Sequence, residues 1–212
     1  MKKIVWICFV FLVPFTLQAQ SPEAAKKLLD DVSRTIASFE NLSFDFTYVL
    51  ENRQENIRQE TTGSATIKGD QYKISFLGNE QLLDGEKTYT IIPENEEITI
   101  SSPDDDSGFG INPSEHLVFY KTGYAYQWDI KQNVKGRPIQ FIKLIPNEEN
   151  REVKYLLLGI DMRTKVIYRL IEIGNSETRT TLTLENLRTN TPLNSDFFTF
   201  DDSKYPDYYI NN

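Results

Sequence analysis

The sequence predicts a mainly β protein with a few helices, in which about ten or eleven antiparallel strands follow one another along the chain. Two observations support this fold class. A helical pattern leads directly into a long alternating strand between Ser21 and Leu50, and short alternating segments separated by turn residues recur over the rest of the chain. Because no long helical pattern separates those segments, an antiparallel meander is favoured over parallel βαβ units.

The stretch from Ser21 to Leu50 organises the predicted fold. Before Glu40, apolar residues recur at three- and four-residue steps, which is typical of an amphipathic helix capped by Ser21. After Glu40, apolar side chains occupy alternate positions and so share one face of a strand. The helical stripe comprises Ala25, Leu28, Leu29, Val32, Ile36 and Phe39, and the strand face comprises Leu42, Phe44, Phe46, Tyr48 and Leu50. A helix with one apolar stripe needs an apolar surface to cover, so we expect it to lie on this face.

Turn residues divide the following sequence into further strands. We expect a polar interruption from Asn52 to Glu60, and Asp84-Gly85 is the clearest hairpin signal. Strands are expected over residues 62–68, 72–76, 82–83, 89–91, 98–100, 124–131, 138–145, 153–161, 165–173 and 178–188. Most of the chain after Leu50 is therefore assigned to short strands.

A short helix is expected in the middle of the chain. Asn112 can cap it, Pro113 suits its first turn, and Glu115 can complete a capping box. Gly123 is expected to end this helix in a left-handed conformation.

The N-terminal residues have the layout of a secretory signal peptide. Lys2 and Lys3 precede an apolar run from residue 4 to residue 17, and we place cleavage after Ala19. The run is shorter than the roughly 20 residues of a membrane span. We therefore expect residues 1–19 to be a signal peptide and residues 20–212 to form one exported domain.

Removing residues 1–19 changes the formal composition. The leader contains two lysines and the only cysteine of the chain, so the net charge falls from −8 to −10 and no cysteine is left. This charge argues against binding to nucleic acid or to anionic lipid surfaces. A protein of this size can be held by its core without disulfides.

The sequence offers little for catalysis. His116 is the only histidine, and no cysteine or second histidine can complete a metal cluster or a nucleophile constellation with it. Asp104, Asp105 and Asp106 could attract calcium, but their spacing does not match a calcium-binding loop. We assign no catalytic residue, no metal site and no cofactor, and expect the protein not to be an enzyme.

Aromatic residues are frequent and recur at alternate strand positions. Most aromatic side chains of a globular protein simply fill its core. A sheet of ten or more strands curls, however, and offers more inner surface than two small helices can cover. A ligand cavity is a natural use of that excess.

Several motifs in order along the chain resemble the LolA family of periplasmic outer-membrane lipoprotein carriers. They are N-L-S-F-D-F at 41–46, I-K-G-D-Q-Y-K-I at 67–74, L-L-D-G-E-K-T-Y-T at 82–90 and F-F-T-F-D at 197–201. The resemblance extends over essentially the whole exported chain. It implies a strongly curved, incomplete antiparallel barrel with the N-terminal helix and the short central helix as a lid.

The resemblance also implies that the concave apolar face and the lid bind the acyl chains of a lipoprotein. The cargo would come from an inner-membrane ABC-type lipoprotein release complex and pass to an outer-membrane acceptor, with the carrier a periplasmic monomer. The residues assigned to lipid binding are Leu28, Val32, Ile36, Phe39, Phe44, Phe46, Tyr48, Tyr72, Ile74, Phe76, Tyr89, Ile91, Ile98, Phe119, Tyr126, Trp128 and Phe141.

One feature of the family is missing from this sequence. Members of the family place an arginine just after the strand equivalent to residues 65–68, where it hydrogen-bonds the lid shut, whereas this chain has Gly69-Asp70. Any control of the lid must therefore use other contacts.

Other functions remain open at this stage. The same fold could bind, transport or sense another lipid or a glycolipid in the periplasm. A secreted glycan hydrolase would need a pair of carboxyl groups on the concave face. An interaction module would have a filled core without a cavity.

Overall fold

A computed structural model describes residues 22–103, 117–148 and 152–211. It contains one α-helix, α1 (Pro22–Ala37), and twelve strands joined in one sheet. The strands are β1 (Leu42–Asn52), β2 (Ile57–Lys68), β3 (Gln71–Phe76), β4 (Asn79–Leu83), β5 (Thr88–Ile92), β6 (Glu97–Ser101), β7 (Tyr124–Val134), β8 (Arg137–Pro146), β9 (Val153–Asp161), β10 (Ile167–Gly174), β11 (Thr178–Thr189) and β12 (Tyr209–Asn211).

The sheet is open and curved, with β1 near its middle. One antiparallel meander runs from β1 to β6 and a second from β7 to β11, and the pairing of β1 with β11 joins them. The predicted meander is thus present as two halves. The predicted fold class, a curved and incomplete antiparallel barrel, is confirmed.

The twelfth strand departs from the prediction of ten or eleven. β12 pairs with β6 in parallel, through Tyr209 beside Glu97 and Ile210 beside Ile98. β12 has three residues, which are too few to show the period-two pattern of a strand. Its parallel partner, β6, lies far away in the sequence, so no turn residues mark the pairing.

The predicted polar interruption at Asn52–Glu60 is wrong at both of its ends. β1 continues to Asn52 and β2 begins at Ile57, so the two strands form one long hairpin. The Asn52 side chain accepts hydrogen bonds from the amides of Gln54 and Glu55, and Arg58 forms a salt bridge with Glu51 across the strands. Charged residues persist in these strands because cross-strand partners of opposite charge face each other there.

Only the end of the predicted central helix falls within the described residues. Residues 119–121 form a single 3₁₀ turn, and Gly123 has the expected positive φ of 85°. Asn112, Pro113, Glu115 and His116 lie outside the described residues, as do Asp104–Asp106 and the predicted signal peptide.

The core lies on one face of the sheet, which we call the inner face because it carries Phe44 and Phe46. Ala25, Leu28, Leu29 and Val32 of α1 are buried in the same apolar cluster as the inner-face residues of β1, β2 and β3. The helix therefore covers the face that the sequence predicts for it. Within the described residues, no helix has both the length and the apolar character needed to cross a membrane.

The opposite, outer face carries two smaller clusters. Ile139, Phe141, Tyr168 and Ile171 form one on β8 and β10. Leu82 and Tyr89 form the other with the segment of residues 193–200, which we call the strap. The ring of Phe200 stacks on that of Tyr89 with centroids 4.4 Å apart.

Candidate functional site

An apolar cavity of about 260 Å³ lies on the inner face. Its walls come from both meanders and from the segment before β7, so it lies where the two halves of the sheet meet. The lining residues are Phe44, Phe46, Tyr48, Ala65, Ile74, Phe76, Leu117, Phe119, Leu158, Ile167, Leu170, Glu172, Thr180, Leu182 and Leu184.

Aromatic rings form one wall of the cavity. Phe46 lies 5.4 Å from Phe76 and 6.3 Å from Phe44 between ring centroids, and Tyr48 meets Phe76 edge-on at 5.5 Å. Tilted and edge-on contacts of this kind suit the charge distribution of aromatic rings. The three phenylalanine rings of this wall offer the cavity apolar surface without groups that need hydrogen bonds.

The opposite wall is aliphatic and comes from β9, β10 and β11. Leu182 pairs with Tyr48 across the strands and Leu184 pairs with Phe46, so these leucines continue the aromatic rows. Leu170 follows beside Leu182, and Leu158 follows beside Leu170. Apolar rows that run unbroken across several strands can contact an extended hydrocarbon chain along its length.

One end of the cavity is polar. Glu172 and Thr180 are cross-strand partners and both line the cavity. Burial raises the pKa of Tyr124, and the nearby Glu172 carboxylate raises it further. This end of the cavity therefore carries a carboxylate and a hydroxyl group beside an otherwise apolar lining.

The helix α1 is tied to the segment before β7 by a buried hydrogen bond. The Ser33 hydroxyl lies 2.9 Å from that of Tyr120 and 3.1 Å from the Leu29 carbonyl. Because Ser33 has a single proton and donates it to Leu29, Tyr120 donates to Ser33. Burial raises the pKa of Tyr120, so this donor stays protonated at neutral pH.

The backbone of the same segment is held from β7. The Tyr126 hydroxyl lies 2.8 Å from the Tyr120 carbonyl oxygen and 3.0 Å from that of Lys121. The Phe119 ring then meets Tyr124 edge-on at 5.9 Å. Gly69, where the resemblance implies an arginine, sits in a turn with φ of 57°.

Many of the predicted lipid-binding residues share the inner face. Phe44, Phe46, Tyr48, Ile74, Phe76 and Phe119 line the cavity itself. Leu28, Val32, Ile36, Phe39, Tyr72, Tyr126 and Trp128 belong to or pack against the adjoining core without lining the cavity.

Four predicted residues lie on the outer face instead. Tyr89, Ile91 and Ile98 are directed away from the cavity, since their strand neighbours Thr88 and Thr90 share the face of Tyr72 and Ile74. Phe141 pairs with Gly159 and belongs to the outer cluster on β8 and β10. The assignment failed for these residues because the outer face is also apolar where it carries the two outer clusters, one of which includes the strap.

Seven aliphatic lining residues were not predicted from the sequence, namely Ala65, Leu117, Leu158, Ile167, Leu170, Leu182 and Leu184. Leu158, Leu170, Leu182 and Leu184 are ordinary strand residues, and the alternating aromatic residues were the stronger signal. The alternation Thr181-Leu182-Thr183-Leu184 was the available signal for this wall. Among the described residues, no group of three or more His, Cys, Asp or Glu side chains is placed to hold a metal ion.

Comparison with known proteins places this architecture among solved structures. No protein-family model matches the chain, and no curated protein matches it. An uncharacterized conserved protein from Thermus thermophilus is similar with a TM-score of 0.57 at 10% identity, over 88% of this chain and 98% of that one.

Two further solved structures are similar at lower TM-scores. The LolA superfamily protein NE2245 from Nitrosomonas europaea has a TM-score of 0.44 at 10% identity, over 84% of this chain and 98% of that one. A putative outer membrane lipoprotein-sorting protein domain from Vibrio parahaemolyticus has a TM-score of 0.41 at 12% identity, over 84% and 97%. At such identities, similarity shows the fold alone.

Proposed function

We propose that this protein is a periplasmic carrier that binds acyl chains of lipoproteins in the inner-face cavity and moves them from the inner to the outer membrane. The observation that carries the proposal is the apolar cavity itself, which is lined by aromatic and aliphatic side chains where the two halves of the sheet meet. The resemblance of the sequence to LolA proteins supports the choice of lipoproteins as cargo. The inner-membrane release complex and the outer-membrane acceptor are the partners that such a route requires.

The energetics of transfer fit this role. Each acyl methylene group removed from water contributes about 0.8 kcal/mol, so an acylated protein needs a shield while it crosses an aqueous compartment. The cargo must also be released. A closed form of the empty protein that competes with the ligand by only a few kcal/mol would allow both steps.

The size of the cavity indicates that the described structure is a closed form. An apolar cavity of roughly 150 Å³ is enough for benzene. A cavity of about 260 Å³ therefore admits a segment of one hydrocarbon chain. A cargo with several chains requires the segment of Leu117 and Phe119, which lines the cavity, to move away from the sheet together with α1, to which Tyr120 is bound through Ser33.

The cavity can be tested by filling it. Ala65 lines the cavity and is 3% exposed, so Ala65→Leu would place three further carbons in it. Ala125→Leu is the matched control, because Ala125 is exposed on the edge strand β7. We expect Ala65→Leu to weaken binding of a fluorescent fatty acyl probe by about tenfold or more and Ala125→Leu to leave it unchanged.

The cargo can be identified by native mass spectrometry and lipid extraction of the protein purified from a Gram-negative periplasm. Co-purified acylated protein is the expected result. Free lipid or glycolipid would instead assign the cavity to lipid transport. An empty protein that also fails to bind added acyl chains would contradict both.

A further inference from the structure

The inner face changes from apolar to polar between β3 and β5. From β1 to β6 the strand pairing has no bulge, so directly paired residues form straight rows across the face. The middle row reads Phe44, Ala65, Ile74, Gln81, Thr90, Thr99, and the next row reads Leu42, Ile67, Tyr72, Leu83, Thr88, Ser101. Each row begins with apolar residues and ends with uncharged polar ones.

The polar end of these rows is buried. Gln81 is 4% exposed, Thr88 3% and Thr90 5%. The Gln81 amide nitrogen lies 3.4 Å from the Thr90 hydroxyl, which is a long hydrogen bond. Within the described part of the chain, the Gln81 side-chain oxygen and the Ser101 hydroxyl are both buried without a hydrogen-bond partner.

A buried polar atom without a partner is costly, and it is rare in folded proteins. Packing alone does not account for polar residues at these positions. The outer face of the same three strands carries Leu82, Tyr89 and Ile91, which are buried as ordinary apolar residues. The polar side of β4 to β6 is therefore the side that adjoins the cavity.

The position of Gln81 connects the two regions. Its direct partner on β3 is Ile74, which lines the cavity. Paired residues of neighbouring strands have Cβ atoms roughly 4.5–5.5 Å apart, so the Gln81 amide begins one residue beyond the cavity wall. A ligand whose hydrocarbon chain fills the cavity can reach Gln81 with the first polar group of its head.

The polar side chains at this end of the rows determine which kind of ligand group can bind there. Gln81, Thr88, Thr90 and Ser101 offer hydroxyl and amide groups that donate and accept hydrogen bonds and carry no charge. Among the described residues of β4 to β6, Glu97 is the charged residue on this face, and it lies in a third row, opposite Ile92. An amide or an ester fits this chemistry, because an amide N–H can donate to the unpartnered Gln81 oxygen and a carbonyl can accept from a hydroxyl group of the cluster.

We propose that Gln81, Thr90 and Ser101 form a hydrogen-bonding subsite for the uncharged amide or ester group that joins an acyl chain to its head. The inference rests on the proposed function, since it assigns the polar end of the same ligand. Gln81 is 4% exposed, so a ligand enters the subsite from the adjoining cavity, past Ile74.

The test uses two probes of similar length, N-methyldecanamide and dodecane, which differ in the amide group. Their binding is measured on the full exported chain by displacement of an apolar fluorescent dye. Gln81→Met keeps the length of the side chain and removes its hydrogen-bonding groups, and Ser101→Ala removes the second unpartnered atom. We expect each substitution to weaken binding of N-methyldecanamide by about tenfold and to leave binding of dodecane unchanged.

Matched controls separate this subsite from a general effect on the sheet. Thr90→Val is expected to act in the same direction as Gln81→Met. Thr62→Val is the control, because Thr62 pairs with Thr47 on the outer face of β2. Unfolding curves are measured for all variants before binding and show whether each variant is folded. If Gln81→Met is not folded, Ser101→Ala provides a milder substitution in the same subsite.

The outcomes distinguish the two proposals. Equal changes for both probes, or no change for either, would overturn the subsite while the acyl-binding cavity stands. Failure of the unsubstituted protein to bind either probe would overturn the proposed function and the subsite with it.

Discussion

The ring of Phe46 lies directly against the backbone of Gly63, its partner on β2. A Cβ atom built on Gly63 would stand 2.7 Å from Cε2 of Phe46 and 2.6 Å from the Ser75 carbonyl oxygen. Real Cβ atoms do not approach other atoms so closely. Gly63 thus allows the Phe46 ring to lie flat in the cavity wall, against Phe76.

Gly63→Ala should therefore both destabilise the protein and disturb the cavity. Overpacking of a well-packed site costs about 1–3 kcal/mol, and here the Ser75 backbone cannot move aside as a flexible side chain would. We expect a loss of that size in urea unfolding, together with weaker binding of an acyl probe because the Phe46 ring is pushed into the cavity.

Gly159→Ala is the matched control for that substitution. Its added Cβ would stand 2.8 Å from the Phe141 ring, on the outer face of the sheet. We expect a comparable loss of stability with acyl binding retained. Equal losses of binding in both variants would show that the effect of Gly63→Ala is not specific to the cavity wall.

The hydrogen bond from Tyr120 to Ser33 should hold α1 in the closed position. Tyr120→Phe removes the donor, and Ser33 keeps its bond to the Leu29 carbonyl. We expect unfolding free energy to fall by about 1 kcal/mol. Because the closed empty form competes with the ligand, acyl affinity should rise by up to about fivefold.

The control for the helix is Ser38→Ala, since Ser38 is exposed and bonds only within the end of the helix in the described contacts. It should change neither quantity appreciably. A Tyr120→Phe variant with lower stability and unchanged or weaker acyl binding would argue that α1 does not compete with the ligand.

The turn at Asp84 should make stability depend on pH. Burial alone would raise the pKa of the Asp84 carboxyl, but hydrogen bonds from the amides of Lys87 and Glu86 and from the Tyr89 hydroxyl bring it below its usual value. A lowered folded-state pKa contributes stability above the unfolded pKa, and this contribution disappears as pH falls through the folded-state value.

We therefore expect Asp84→Asn to be less stable than the unsubstituted protein at pH 7, by no more than about 1 kcal/mol because the turn is solvated. The difference should shrink below about pH 4. Urea unfolding at pH 7 and pH 3 measures it, with Asp70→Asn in the neighbouring exposed turn as the control. A gap that is equally large at both pH values would contradict this account.

The strap should matter for stability and not for binding. Phe198 is 6% exposed in the outer cluster with Leu82 and Tyr89, on the face away from the cavity. Phe198→Ala should cost roughly 3–5 kcal/mol in unfolding free energy. Measured well below its unfolding temperature, the variant should bind an acyl probe as the unsubstituted protein does, and a large loss of affinity would mean that the strap shapes the cavity.

The sequence alone determined the elements. The helical stripe of α1 and the period-two pattern from Leu42 to Leu50 follow from local geometry, and the Asp84-Gly85 turn from backbone preferences. These features depend on residues close together in the chain. The same locality explains why α1 was correctly expected to cover the face that carries Phe44 and Phe46.

Tertiary structure decided which face each strand turns toward the cavity. Alternation shows that Tyr89 and Ile91 share a face, but it does not show which face. The strap packs on the outer side of β5, so that side is as apolar as the inner side of β3. The pairing of β12 with β6 and of β1 with β11 likewise joins segments far apart in sequence. The cavity exists only where such distant strands meet, so its aliphatic wall and its polar end could be located only in the folded chain.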